Sequence, residues 1–241
     1  MQYQWLVLAV FCLTLVADHR IFWRGFERRV TVDAAKARHT VWAQWAAMLW
    51  ACSALVLGLW IAQGWPLSAL GLLMPTGLRL WVPLVLTVAV VAAQAISAIK
   101  IARLADRTEL RQQLGATGLV LPREASELPA FLGVSLTAGF CEELLCRGFL
   151  IWIFQPFVGW WIAAGASLAI FTLGHLYQGT SGMVKCGVLG AVMTAIVFLT
   201  HSLWPAIVLH AAIDCMGGLI GWLILREPAA TPQDLGPPNS R

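Results

Sequence analysis

Charge is what this sequence has least of. Only 12% of its 241 residues are Asp, Glu, Lys or Arg, against 59% hydrophobic. A soluble globular chain carries about 25% charged residues. At half that level there is too little charge to coat a water-soluble protein of this size. The mean hydropathy of +0.76 agrees. Much of the surface must face lipid. Tyrosine is scarce too, two against thirteen tryptophans, and Trp favours the membrane–water interface.

Other absences narrow the chemistry. Cys12, Cys52, Cys141, Cys146, Cys186 and Cys215 lie in or beside apolar runs and form no C-x-x-C. That excludes a disulfide framework and a thiolate zinc site, and leaves buried free thiols. No H-E-x-x-H and no G-x-S-x-G occurs, so the soluble zinc-protease and nucleophile-elbow signatures are both missing. A secretory signal would place basic residues before its apolar run and a small-residue cleavage site after it. The run Trp5–Ala17 follows only Met1-Gln2-Tyr3-Gln4, so a short, retained first membrane helix is expected. The net charge of +4 and pI of about 8.9 would suggest nucleic acid in a soluble protein. Here the basic residues sit in short loops between apolar runs. Positive-inside topology accounts for them, and no nucleic-acid partner is expected.

What the chain does have is long apolar runs. A spanning helix needs about 20 mostly apolar residues. Runs at 3–18, 41–63, 81–99, 129–154, 160–177, 183–200 and 204–225 predict an all-α, polytopic transmembrane helix bundle of about seven spans. Its expected location is the cell membrane, with membrane lipid as a partner. Three regions follow: 1–128, N-terminal membrane helices and cytoplasmic loops; 129–225, a core of polar-bearing helices; 226–241, a Pro-rich tail expected to be disordered. Residues 64–80, with Pro66 and Pro75, read as a re-entrant or interfacial segment. Arg20, Arg24, Arg28, Arg29, Lys36 and Arg38 fall in 18–40, and Lys100, Arg103, Arg107, Arg111 and Arg123 in 100–128. The loop between these segments holds only Arg79. This asymmetry places 18–40 and 100–128 in the cytoplasm, the N-terminus outside and the C-terminus inside. The run 101–115 predicts an amphipathic surface helix, or a solvated linker helix, ended by Gly115.

Ionisable residues within spans carry the most information. Each costs about 2.5–3.5 kcal/mol at a helix centre, so each suggests a paired or functional role. The fourth run holds Glu142, Glu143 and Arg147, the fifth ends at His175, and the seventh holds His210 and Asp214. Glu143 and Arg147 are four apart and share a helix face. Glu142, about 100° away, should look elsewhere. Plainer readings exist: a structural Glu–Arg pair, a histidine at a helix end, and a local His–Asp hydrogen bond. Yet six polar groups on three helices must converge to satisfy one another. Two histidines with carboxylates supply a general base or ligate a divalent metal, and either activates water. Ser135, Thr137 and Ser167 have no sequence-adjacent histidine, so water-activated hydrolysis is favoured over covalent catalysis.

Glu142-Glu143-Leu-Leu-Cys-Arg147, Phe171-Thr-Leu-Gly-His175 and His210-Ala-Ala-Ile-Asp214 form the series E-E-x-x-x-R, F-x-x-x-H, H-x-x-x-D. With Ser202-Leu-Trp-Pro205 as lead-in, it resembles the CAAX-protease and bacteriocin-processing (CPBP, or Abi) family, which includes type II CAAX prenyl endopeptidases. The resemblance covers about residues 129–222. It implies an intramembrane endopeptidase of metallo- or glutamate type, acting on a membrane-associated or lipidated, prenylated included, protein or peptide. Glu142 would be the general base, assisted by His175. Glu143 and Arg147 would be a supporting pair, and His210 with Asp214 would stabilise the oxyanion. A divalent metal, zinc, would be held by Glu142, His175 and His210; a metal-free glutamate mechanism is the alternative. Position 214 is Asp where the prenyl-protein proteases carry Asn. An ionised Asp cannot donate to an oxyanion, so Asp214 is protonated, orients His210 or ligates a metal.

Two other functions compete with this one. A non-catalytic membrane immunity or scaffold protein would use the polar cluster as helix glue, with Gly217-x-x-x-Gly221 as a close-packing face. A transporter would relay ions through it, but no inverted repeat is visible.

Overall fold

The computed structural model describes residues 3–226, the side chains of residues 16, 17, 19 and 20 apart. The tail 226–241 therefore lies outside the described residues, except for Arg226. No β-strand occurs among them. The helices are α1 (Tyr3–Ala17), α2 (Arg24–Val30), α3 (Ala34–Ala62), α4 (Leu78–Ala102), α5 (Thr108–Leu114), α6 (Leu128–Glu142), α7 (Ile151–Gly174), α8 (Gly179–Thr200) and α9 (Trp204–Leu225). Among the described residues, five helical stretches are long and apolar enough to cross a membrane. The third, Ala125–Gly174, is 50 residues long, far more than one crossing needs.

That stretch is two spans folded against each other. Pro156 removes a backbone donor, and Gly159 adopts φ 76°, ψ 164°, a positive φ that glycine reaches without steric cost. Beyond this corner the chain returns. Ala163 and Ala164 pack on Ile151, and the Ser167 hydroxyl donates to the Cys146 carbonyl at 2.6 Å. With the shorter apolar helix Tyr3–Leu15, the apolar helices match the seven runs.

The two basic segments meet at one end of the bundle. Arg38 of α3 forms a buried ion pair with Glu127, Nη2 to Oε1 at 2.7 Å. The Glu127 Oε2 accepts the backbone N–H groups of Arg123 and Glu124. The Trp42 indole donates to the Val120 carbonyl. The lead-in to α6 is thus fastened to the start of α3.

Residues 101–115 do not form the single amphipathic helix expected. α4 stops at Ala102 and α5 starts at Thr108. The reason lies in the arginines between and within them. Arg107 Nη1 donates to the Leu223 carbonyl at 2.8 Å, and Arg111 Nε donates to that of Ile224 at 3.0 Å. A helix end leaves its last carbonyls unpaired and partly negative, and these guanidinium groups cap α9. Reaching it takes the break. Gly115, at φ 51°, does end α5.

Residues 64–80 hold one short turn, Leu67–Leu70, whose Leu70 is buried. The carbonyls that follow are fastened to the start of α9. Gly71 accepts from the Leu203 N–H at 2.8 Å, Leu72 from the Trp204 indole at 3.0 Å, and Leu73 from the Ser202 hydroxyl at 2.6 Å. Both ends of α9, the helix that carries His210 and Asp214, are therefore held, by the loop carbonyls of 71–73 at its start and by Arg107 and Arg111 at its end.

Candidate active site

α6 and α9 pack backbone against backbone in the bundle core. A Cβ built on Gly139 would lie 2.7 Å from Ala211 Cβ, 2.8 Å from its N and 2.9 Å from its Cα. Glycine is required here because the obstacle is backbone. One turn past Gly139 come Glu142 and Glu143; one residue before Ala211 is His210. Their meeting depends on this crossing. Gly139→Ala is expected to cost about 1–3 kcal/mol through overpacking and to lower activity further by parting α6 from α9. Thermal unfolding in detergent and a cleavage assay check this together.

After Glu142 the α-helix gives way to a π-helix, Glu143–Leu150, all of whose residues are buried. Such wider turns are rare and frequent at functional sites. Glu143 is wholly buried, and its Oε1 receives Arg147 Nη1 at 3.0 Å. The Arg147 guanidinium also donates Nη2–H to the Gly190 carbonyl at 3.0 Å. It lies 4.3 Å from the centre of the Phe171 ring. A Cβ on Gly190 would stand 2.8 Å from Arg147 Nη2, so the missing side chain makes room for the cation.

The same Glu143 Oε1 stands 2.8 Å from Nδ1 of buried His210. A carboxylate oxygen accepts, so Nδ1 carries a proton. On the other edge of the ring, Nε2 faces Asp214 Oδ2 at 3.5 Å and Glu142 Oε2 at 3.9 Å. The two adjacent glutamates therefore do not diverge as helical geometry predicted. An imidazole carries its nitrogens on opposite edges, and one acid addresses each. Glu142 Oε2 is buried with no hydrogen-bond partner among the described residues.

His175 caps the C-terminal end of α7. Its Nδ1 is 2.8 Å from the Phe171 carbonyl. A carbonyl only accepts, which puts the proton on Nδ1 and leaves Nε2 with a free lone pair. Its ring lies 4.7 Å from that of Phe171, which in turn meets His210 edge-on.

A cavity of about 480 Å³ joins these groups; Glu142, His175, His210 and Asp214 line it. Most of its other walls are apolar, Phe11, Leu49, Ile170, Leu189 and Met193 among them. Glu143 and Arg147 are not in the wall; they stand behind it. The candidate hydroxyls are spent elsewhere. Ser167 donates to Cys146 O and Ser135 to Phe131 O, while Thr137 accepts from the Trp50 indole. Sequence reasoning missed Asp18, Gln94 and Lys185, which also line the cavity. A polar Gln within the α4 run was the one signal available for Gln94.

Metal ligation by Glu142, His175 and His210 would need the three gathered around one point. Among the described residues, no group of three or more His, Cys, Asp and Glu side chains is so arranged. Glu142 Oε2 and His210 Nε2 approach to 3.9 Å, and His175 does not join them in such a group. The Gly217-x-x-x-Gly221 face is close-packed at one of its two glycines within the chain. Gly221 packs on Leu121 and the neighbouring Gly218 on Phe131, whereas a Cβ on Gly217 would meet nothing within 4 Å.

Residues 124–216 match the family model Rce1-like, described as type II CAAX prenyl endopeptidase Rce1-like. The match contains all three motifs. No curated protein and no solved structure matches the chain. The match together with the apolar helices supports a multi-pass membrane protein with protease chemistry, a peptide or protein substrate and a lipid environment.

Proposed function

We propose that this helical membrane protein, Rce1-like over residues 124–216, is an endopeptidase. It would hydrolyse a peptide bond in a lipidated or membrane-embedded peptide, using water activated by Glu142 without a metal. One observation carries the reading: Glu142 has a carboxylate oxygen without a hydrogen-bond partner, among the described residues, on a cavity whose wall also holds His175, His210 and Asp214. A buried carboxylate oxygen without a hydrogen bond is costly as structure and useful as a base.

Water held between Glu142 and His175 attacks the scissile carbonyl carbon. Its proton passes to Glu142, with the His175 Nε2 lone pair positioning the second hydrogen. The carbonyl π-electrons move to oxygen, and the His210 Nε2–H donates to that oxyanion. Asp214 Oδ2 and Glu142 Oε2 face Nε2 at 3.5 and 3.9 Å. Glu143, anchored by Arg147, accepts from Nδ1 and fixes the ring. Asp214 thus orients His210, which answers its inability to donate while ionised. The oxyanion then collapses, the C–N bond breaks, and the proton on Glu142 passes to the departing amine. Apolar walls suit a lipid chain or an apolar peptide.

The test is cleavage of an S-farnesylated CAAX peptide by protein in nanodiscs. His175→Ala should lower kcat/KM by about 10²-fold or more, the range for a lost acid–base partner, and a chelator should leave the wild-type rate unchanged. Loss of activity with chelator, restored by zinc, would overturn the metal-free step. Undiminished cleavage by His175→Ala would overturn the role given to that residue.

A further inference from the structure

Two polar groups on the cavity wall play no part in this chemistry. Gln94, in the last third of α4, carries an amide oxygen that is buried and has no hydrogen-bond partner among the described residues. Lys185, in the second turn of α8, has no ion pair or hydrogen bond among the described residues. It is also the only Lys or Arg among the described residues lining the cavity, whose carboxylates are Asp18, Glu142 and Asp214.

An unsatisfied amide in an apolar bundle is costly unless an occupant supplies its partner. A hydrocarbon chain has no such group, but a peptide main chain does. A cation outside the catalytic group, in a cavity rich in carboxylates, sets direction. An anionic group entering the cavity is repelled near Glu142 and Asp214; the two N–H groups of His210 are directed at Glu143 and at the scissile oxygen, which leaves Lys185 as the cation open to a second anionic group. The anion that an unmodified peptide carries at its end is the C-terminal carboxylate.

We propose that Lys185 is a specificity residue that binds a free carboxylate on the peptide substrate, its C-terminus, while Gln94 receives a main-chain N–H of the same peptide. This orients the chain, with its C-terminal end at α8 and the scissile bond at Glu142. The proposal rests on the proteolytic reading, and the experiment separates the two.

An S-farnesylated CAAX peptide is made as the C-terminal acid and as the amide. Binding of both to Glu142→Gln protein, with and without Lys185→Gln, is measured in nanodiscs of zwitterionic lipid; cleavage is measured with Glu142 intact. The acid should bind and react about tenfold better than the amide, as expected for a charge-assisted contact. Lys185→Gln should erase that ratio, and Lys185→Arg should keep it. If Lys185→Gln folds poorly, Lys185→Met provides the neutral variant. A ratio unchanged in the neutral variants overturns the proposal. So does a wild-type protein that treats the two peptides alike yet loses affinity for phosphatidylglycerol nanodiscs on Lys185→Gln, which would assign the ammonium to a lipid phosphate. If a side-chain Glu near the end of the amide peptide restores the ratio, the carboxylate is not the terminus, and that assignment falls. Discrimination in binding without any cleavage would sink the protease reading and leave the subsite standing.

Discussion

Glu142→Gln should cleave at least about 10³-fold more slowly than wild type, within the range for loss of a general base, while unfolding at nearly the same temperature. The substitution keeps shape and one oxygen, so packing at the cavity wall is preserved. It removes the group that takes a proton from water. Stability should hardly change, because Glu142 makes no hydrogen bond among the described residues that the amide would forfeit. Both readouts are needed. A scaffold or immunity protein would keep its function in cells with Gln at this position. A protease would lose it with the fold intact. Full function of Glu142→Gln in cells would move the assignment to the scaffold reading.

Arg147→Met should be the most destabilising of the site substitutions, by about 3–5 kcal/mol, the cost of leaving one partner of a buried pair uncompensated. Its guanidinium spans Glu143, the Gly190 carbonyl and the Phe171 face. Removing it leaves a fully buried Glu143 holding only His210. Lysine would not substitute well, since one ammonium cannot reproduce a fork that bonds a carboxylate and a carbonyl on different helices. A double-mutant cycle sharpens the test. Glu143→Gln combined with Arg147→Met should be less destabilised than Arg147→Met alone, because the stranded charge is gone. A double variant worse than the single by the full additive amount would contradict the account. Denaturant or thermal unfolding in mild detergent supplies these values.

The spans and the polar cluster were legible in the sequence because both rest on composition at known spacing. Even the hairpin within Ala125–Gly174 was foreseen as two runs, since Pro156 and Gly159 interrupt apolar continuity. Three things were not legible. The convergence of Glu142 and Glu143 on one ring depends on where α9 presents His210, which spacing within α6 does not reveal. The ion pair of Arg38 and Glu127 joins residues 89 apart, and Arg38 read as one more cytoplasmic charge. Arg107 and Arg111 likewise counted as topology signals, yet they are occupied by the carbonyls of a helix more than a hundred residues later. Local pattern marks which residues are unusual, and tertiary contact decides what each one faces.

The crossing of α6 over α9 has a genetic consequence. A large residue forced into a tight contact is commonly rescued by shrinking its neighbour, and the natural neighbour of position 139 is Ala211. Trimming Ala211 to glycine would remove one of the three obstructing atoms, the methyl carbon, and leave the amide nitrogen and Cα at 2.8 and 2.9 Å. Those two atoms belong to every amino acid. Suppressors of a Gly139 substitution therefore have no route through position 211. They must arise where α9 can move as a body, in the loop carbonyls of Gly71, Leu72 and Leu73 or in the arginines that hold its far end.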